Sequence, residues 1–323
     1  MTLDAEAIVD RRRLKRRLSL WRVAAVVAGL VGILALVHAF SEKGLAFGGR
    51  NQIAAFDVSG LITGDQDQVR LIRKLGETDG VKAVIVRINS PGGTTAGSEI
   101  LYEELRTLAG KKPVVAVMET VAASGGYITA LAADHIVARG NTVTGSIGVI
   151  FQWADVREAL SKLGVEVEEI KSGPLKAEPS MFSGTSEEAR VVAAAMVRDG
   201  FEWFVGLVAD RRPFDLSTAR SLADGRVYTG RQAIAARLVD RLGGEREARE
   251  WLETERGIDK DLKIVDWSED GSSSLDLVSR AVGAAAAALG LVSGDTAAFG
   301  LAAAARTPRL DGLLSLWHPQ LLQ

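Results

Sequence analysis

Between residues 50 and 140, short apolar segments alternate with helical segments, and this alternation constrains the fold more than any other feature of the chain. The apolar segments are QIAAFDVSG (52–60), KAVIVRIN (82–89), PVVAVM (113–118) and HIVARG (135–140). Their short length and the turn residues that end most of them are typical of strands buried on both faces. Helices are predicted between them, over 68–77, 95–110 and 124–133. This order predicts an α/β fold with a mainly parallel sheet and right-handed crossovers. Three further helices are predicted over 187–212, 214–225 and 229–244.

Residues 23–40 (VAAVVAGLVGILALVHAF) carry no formal charge. As a helix they would be about 27 Å long, close to the thickness of a membrane core, so we predict a single membrane anchor. The alternatives are a buried helix and a cleaved signal peptide. A core helix rarely follows a stretch such as RRRLKRR, and VHAFSEKG offers no clear cleavage site.

The basic residues of the N-terminal segment, residues 1–22, predict how the chain would cross the membrane. Seven of the first 22 residues are Arg or Lys, and such an excess marks the cytoplasmic side of a span. The remainder of the chain would then lie outside the inner membrane, in the periplasm of a Gram-negative cell. Beyond residue 22 acidic residues outnumber basic ones, so nucleic-acid binding is not expected.

Two glycine-containing turns follow predicted strands. SPGG (90–93) follows strand 82–89, and AASGGY (122–127) follows strand 113–118. Sites in parallel α/β sheets form at the carboxyl ends of strands, so these turns are expected to be neighbours. The backbone N–H groups of SPGG suit an anion, including the oxyanion of acyl transfer. The alternative is a simple tight turn, and the spacing of a phosphate-binding P-loop is absent.

Ser124 is either a helix N-cap or a nucleophile. A histidine base has little support, because His135 would start a strand at the opposite edge of the sheet and His318 lies near the C-terminus. The absence of cysteine excludes a thiol nucleophile and disulfides. Lysine serves as the base in Ser–Lys variants, provided that its pKa falls from about 10.4. Lys171 and Lys176 are candidates from which spacing alone does not choose, and either is otherwise a solvated surface charge.

Five motifs occur in one order: SPGG, AASGGY, TGSIGVI (144–150), KSGPLK (171–176) and DGRVYTGRQA…LVDRLGG (224–244). Together they resemble the signal peptide peptidase A family, which comprises membrane-anchored bacterial serine proteases with a Ser–Lys dyad. The resemblance covers about residues 50–250, which we take as the peptidase domain. It implies a Clp protease/crotonase-like fold, built of repeated β-β-α/β-α units.

Carried over residue by residue, the resemblance implies that Ser124 is the nucleophile and Lys176 the general base. The backbone N–H of Gly93 matches an oxyanion donor. The substrate-binding residues that it implies are Gly92, Gly125, Thr144, Gly145, Ser146, Ile147, Gly148 and Val149. No metal or cofactor is required by this scheme. Ring-like homo-oligomers are also implied, and in short family members the dyad is completed between neighbouring subunits. The separation of Ser124 and Lys176 fits a dyad within one chain or between two.

Residues 251–323 form a C-terminal extension in which we identify no motif. The segment AVGAAAAALGLV (281–292) is too short to span a membrane. The apolar tail LDGLLSLWHPQLLQ (310–323) is expected to pack against the body of the protein. The alternative is that this tail reaches the groove of an active site.

The resulting prediction is a membrane-bound serine endopeptidase that cleaves apolar peptides, above all remnant signal peptides, outside the inner membrane. Its partners would be these peptides, membrane lipid around residues 23–40 and further copies of the chain. Two alternatives belong to other classes of protein. One is a crotonase-like acyl-CoA enzyme, against which the membrane anchor argues, and the other is a non-catalytic scaffold for membrane proteins.

Overall fold

The structure, a computed structural model, describes residues 51–268 and the backbone of a strand at 313–316. The predicted anchor (23–40), the basic segment before it and the segment 281–292 lie outside the described residues. Among the residues that are described, no helix is long and apolar enough to cross a membrane.

The described strands are β1 (Gln52–Ile62), β2 (Val81–Thr94), β3 (Val114–Ala123), β4 (His135–Ala138), β5 (Val143–Gly145), β6 (Ile150–Phe151), β7 (Val227–Thr229), β8 (Arg241–Leu242), β9 (Lys263–Asp266) and β10 (Leu313–Leu316). The described helices are α1 (Gln66–Glu77), α2 (Thr95–Ala109), α3 (Gly125–Leu131), α4 (Arg157–Lys162), α5 (Glu187–Arg211), α6 (Leu216–Leu222), α7 (Gly230–Ala235) and α8 (Glu245–Arg256). The predicted α/β class is confirmed.

The centre of the sheet is parallel, in the order β9-β1-β2-β3-β4-β8. The last residues of β3 pair with β5, also in parallel, and β7 lies antiparallel to β5. β10 is antiparallel to both β2 and β6. The described sheet is therefore mainly parallel, as predicted, with antiparallel strands added near the carboxyl end of β3.

Both faces of the central strands are buried, which explains their continuous apolar sequences. In β2 the side chains of Val84, Val86 and Ile88 belong to the larger core, which includes residues of α1, α2, α3 and α5. The alternate residues Ala83 and Ile85 belong to a smaller core on the opposite face, where Ala248 and Leu252 of α8 contribute. This alternation with a period of two residues fixes the face that each residue presents.

The prediction was wrong in two places. SPGG is not a tight turn, because β2 continues through it and pairs with the last residues of β1. The predicted helix over 229–244 is divided into α7 and β8. It ends because Arg237 adopts a left-handed backbone conformation with φ 57°, which a helix cannot continue, and because Leu238 and Val239 are then buried in the core.

Candidate functional site

Three glycine-containing segments meet at the carboxyl end of the parallel sheet. Ser90 of β2 lies opposite Ala122 of β3 in the strand register, and Ala123 lies opposite Gly145 of β5. The start of α3 is so close to β2 that a Cβ atom on Gly126 would lie 2.7 Å from the Ser90 carbonyl oxygen. The predicted proximity of the SPGG and AASGGY motifs is therefore confirmed.

Residues 90–93 hold a conformation that needs glycine. The buried Ser90 hydroxyl donates a hydrogen bond to the Gly60 carbonyl oxygen at 2.6 Å and accepts one from the Gly92 N–H at 3.1 Å. Gly92 has φ 110°, which strongly favours glycine. A Cβ atom on Gly93 would overlap the backbone carbonyl oxygen of Ile62. The close approach of β1 thus excludes any side chain at position 93.

Ser124 lies at the N-cap position of α3, but its side chain does not cap the helix. Its φ and ψ are 54° and −115°, a conformation that is strained for a residue with a Cβ atom. The residue is 1% exposed. Its N–H donates to the Gly145 carbonyl oxygen at 2.8 Å, and its own carbonyl oxygen accepts from the Ile128 N–H at 2.9 Å. The backbone on both sides of the serine is therefore held firmly, although the usual reason for a serine here is absent.

The helix that follows Ser124 is anchored to a distant part of the chain. All seven residues of α3 are buried, and the Tyr127 hydroxyl donates a hydrogen bond to the Leu238 carbonyl oxygen at 2.8 Å. Burial raises the pKa of the Tyr127 phenol, so it stays a protonated donor. The start of α3, where Gly125 lies, is thus fixed by packing as well as by the sheet.

The segment from Thr144 to Val149 lies on the other side of Ser124. The Thr144 hydroxyl donates to the Ala122 carbonyl oxygen at 2.7 Å, and the Ser146 N–H donates to the Arg226 carbonyl oxygen at 2.8 Å. Gly145 has φ 79°, and a Cβ atom there would contact the Tyr228 ring at 2.5 Å. These contacts hold the predicted substrate-binding residues beside the carboxyl end of β3.

An apolar cavity of 680 Å³ adjoins this segment. Its apolar lining comes from residues 147–153, from α5 and from the start of the 223–225 loop, and includes Ile147, Val149, Phe151, Trp153, Ala193, Val197, Phe201 and Ala223. The charged side chains of Arg190, Arg198 and Asp224 also line it. The α5 residues are not among the predicted site residues. Their spacing of four residues at 193, 197 and 201 places them on one face of a helix and was the signal available.

The structure distinguishes Lys171 from Lys176. The Lys171 ammonium forms ion pairs with Glu169 at 2.7 Å and with Glu178 at 2.8 Å. The hydrogen bond to Glu169 is the main cause of its raised pKa, with a further contribution from Glu178, and this is the wrong direction for a neutral base. Lys176 is exposed, and its side chain makes no hydrogen bond or ion pair with another described residue, Ser124 included. Of the two candidates, Lys176 alone has an amine that is not engaged by carboxylates of the described chain.

His135 lies at the amino end of β4, away from Ser124, as predicted. In the strand register it lies opposite Val115, near the start of β3, whereas Ser124 follows the end of that strand. Its ring stacks on Trp251 with a centroid distance of 4.8 Å, and Nδ1 is 3.7 Å from an Asp240 carboxylate oxygen. Burial lowers its pKa below the usual 6.5, although Asp240 opposes this shift. The packing supports a structural role.

The lowered pKa of His135 leads to a stability prediction. The unfolded chain binds the proton more readily than the folded one, so the free energy of unfolding should fall as the pH drops below about 6.5 and towards the lower folded-state pKa. Denaturant midpoints at pH 7.5 and 5.5 measure this fall. In His135→Gln the fall should be smaller, and an equal fall in both proteins would contradict the prediction.

Comparisons with known proteins bear on this arrangement of residues. The model of Peptidase family S49 matches residues 106–259. A putative protease of Synechocystis sp. is 39% identical over 222 residues, which cover 68% of this chain and 80% of that protein. The chain belongs to peptidase family S49. It is thus a member of a family of serine-type peptidases, and its resemblance to the signal peptide peptidase A family is confirmed.

A second relative of this S49 peptidase is a putative signal peptide peptidase SppA of Enterococcus faecium, 35% identical over 208 residues. The match covers 64% of this chain and 60% of that protein, which is less than two thirds of its length. A solved structure of a ClpP1 mutant from Listeria monocytogenes has a TM-score of 0.41 and 16% identity, and the match covers 60% of this chain and 92% of that one.

Within residues 51–268, no group of three or more His, Asp or Glu side chains is placed to hold a metal ion.

Proposed function

We propose that this S49 peptidase is a membrane-bound endopeptidase in which Ser124 is the nucleophile and Lys176 the general base. One observation carries the proposal. Ser124 is buried in a strained conformation at a helix start, and its hydroxyl does not cap that helix. Strain of this kind concentrates at functional sites. The segments 90–93 and 144–149, which flank the end of β3, support this role for the serine.

The proposed reaction begins when neutral Lys176 takes the proton of the Ser124 hydroxyl. The Ser124 oxygen then forms a bond to the carbonyl carbon of the peptide, and the resulting oxyanion accepts a hydrogen bond from the Gly93 N–H. As the C–N bond breaks, Lys176 gives its proton to the leaving amine. Water hydrolyses the ester and regenerates the Ser124 hydroxyl, so protons and bonds balance over the cycle.

The apolar cavity supports a preference for apolar peptides. Its lining of aromatic and aliphatic side chains would bury an apolar side chain of the substrate, which is favourable by roughly 25 cal/mol per Å² of apolar surface. A membrane anchor at residues 23–40 would hold the site close to remnant signal peptides, which are apolar, on the periplasmic side. These are the substrates that we propose.

The surroundings of Lys176 support a dyad shared between subunits of a homo-oligomeric ring. Several large apolar side chains in the same part of the chain are exposed: Leu163, Val165, Val167, Ile170, Leu175, Met181 and Phe182. Such a concentration of exposed apolar surface is typical of a protein interface. A neighbouring subunit that covers it would also bury Lys176, and burial of a lysine favours the neutral form that a base requires.

The two alternative classes now have less support. The chain belongs to a peptidase family, and this argues against an acyl-CoA enzyme. A non-catalytic scaffold would give no reason for the strained serine. It predicts that a substitution of Ser124 leaves the protein's role unchanged.

A serine-reactive fluorophosphonate probe tests the dyad without the need for a known substrate. We expect the probe to label Ser124 in the wild type, because an activated serine reacts far faster than an ordinary one. Peptide mapping by mass spectrometry would locate the label. Labelling should be lost in Lys176→Ala and retained in Lys171→Ala, the matched control. Equal labelling of Lys176→Ala and wild type would refute the role of Lys176 as the base.

A further inference from the structure

Strand β10, from the C-terminal extension, lies at the candidate site. Its residues Leu314, Ser315 and Leu316 are opposite Thr94, Gly93 and Gly92 in an antiparallel register. On its other side, Leu313 and Leu314 are opposite Phe151 and Ile150 of β6, again antiparallel. We call the space between Gly92–Thr94 and Ile150–Phe151 the peptide slot. The chain's own tail occupies it as a central strand.

The pairing pattern also locates the peptide slot relative to Ser124. β1 pairs with Gly92 and Gly93 along one edge of β2, so β10 must occupy the other edge. Up to Ser90, that other edge is occupied by β3. β10 therefore continues the line of β3 beyond the point where the chain leaves the sheet at Ser124 and enters α3. An extended peptide in the slot would therefore lie just beyond the end of β3, next to the candidate nucleophile.

The slot has the properties of a peptide-binding site. A strand in the slot pairs through its backbone with β2 on one side and with β6 on the other, and strand addition of this kind is a common mode of peptide recognition. Phe151, which pairs with Leu313, also lines the apolar cavity. The sequence of the tail, LDGLLSLWHPQLLQ (310–323), is itself rich in apolar residues. The tail therefore belongs to the same chemical class as the peptides proposed as substrates.

We propose that residues 313–316 are an intramolecular ligand of the peptide slot, and that they compete with peptide substrates for the site. The inference rests on the proposed function for the identity of the substrates. The strand pairing from which it is argued is independent of that function. A tethered segment acts at an effective concentration of about millimolar. An incoming peptide binds only in the fraction of molecules whose tail has left the slot, so its apparent affinity is reduced by that fraction.

A proline scan of the tail in the full-length chain tests the proposal. Leu314 lies between Thr94 of β2 and Ile150 of β6. Its backbone N–H therefore points towards one of these two strands as a hydrogen-bond donor, and Leu314→Pro removes that donor. The matched control, Gln320→Pro, places the same residue in the tail outside β10. Intact mass would show that each sample retains its tail, and thermal unfolding would show that each is folded.

Two readouts separate this inference from the proposed function. With a fluorescent apolar peptide as substrate, kcat/KM should rise at least about threefold in Leu314→Pro and stay unchanged in Gln320→Pro. In a Ser124→Ala background, a labelled peptide of residues 310–323 should bind more tightly to the Leu314→Pro protein, as measured by anisotropy. Tighter binding without any cleavage by the parent enzyme would support the inference and reject the proposed function. Equal binding to the Leu314→Pro and Gln320→Pro proteins would overturn the inference.

Discussion

Replacement of Ser124 by alanine is expected to lower kcat/KM for an apolar peptide by about 10⁴-fold or more. The expected loss is large because the reaction has no other group that can form the acyl-enzyme, and removal of a nucleophile in comparable enzymes costs at least this much. The fold should survive, because alanine keeps the Cβ atom and both backbone hydrogen bonds of residue 124. A fluorogenic peptide assay measures the loss, and Ser221→Ala, at an exposed position of α6, is the matched control.

Lys176→Ala should be inactive to a similar degree, and the two variants together test the shared dyad. If Ser124 and Lys176 come from neighbouring subunits, a ring assembled from both variants contains some complete sites. Random mixing in equal amounts should restore about one quarter of the wild-type activity, since each site needs one intact partner of each kind. A mixture that stays inactive after co-refolding would place the dyad within one chain. Full activity of Lys176→Ala alone would reject the dyad and direct attention to Lys171.

The second large effect is expected for Gly93→Ala. The added Cβ atom would overlap the Ile62 carbonyl oxygen, so β1 and β2 must separate where they now pair. We expect a loss of about 3 kcal/mol in the free energy of unfolding, in the range for overpacking of a rigid backbone. Activity should fall by about 10² to 10³-fold, the usual result of displacing an oxyanion donor.

Denaturant unfolding and the peptide assay measure the two consequences of Gly93→Ala separately. The matched control is Gly206→Ala in α5, because a Cβ atom on Gly206 would meet nothing within 4 Å. A wild-type unfolding midpoint in Gly93→Ala would show that β1 can move without cost. A wild-type kcat/KM would show that the Gly93 N–H does not stabilise the transition state.

The central sheet could be predicted from the sequence because its strands are buried on both faces and their apolar segments are continuous. The segment 82–89 is an example, because its apolar residues predict a strand without any knowledge of the neighbouring strands in the sheet. The continuation of β2 through SPGG could not be predicted, because proline and glycine usually end a strand. It depends on partners far away in sequence, namely Leu61 and Ile62 of β1 and the residues of β10.

The site was predictable in part. The order of strands along the chain was enough to bring SPGG and AASGGY together, because both follow parallel strands. The difference between Lys171 and Lys176 was not predictable from spacing, since it depends on Glu169 and Glu178 closing around Lys171. The failure of Ser124 to cap its helix was equally hidden, because capping depends on backbone angles that the sequence does not display.

The hydrogen bond from Tyr127 to Leu238 has a consequence for when the enzyme becomes active during synthesis. The helix that starts at Ser124 acquires its buried anchor only after about 110 further residues have been made. A nascent chain that ends before Leu238 has the serine but lacks the packing that holds it. The packing around the serine is therefore completed only after residue 238 has been synthesised.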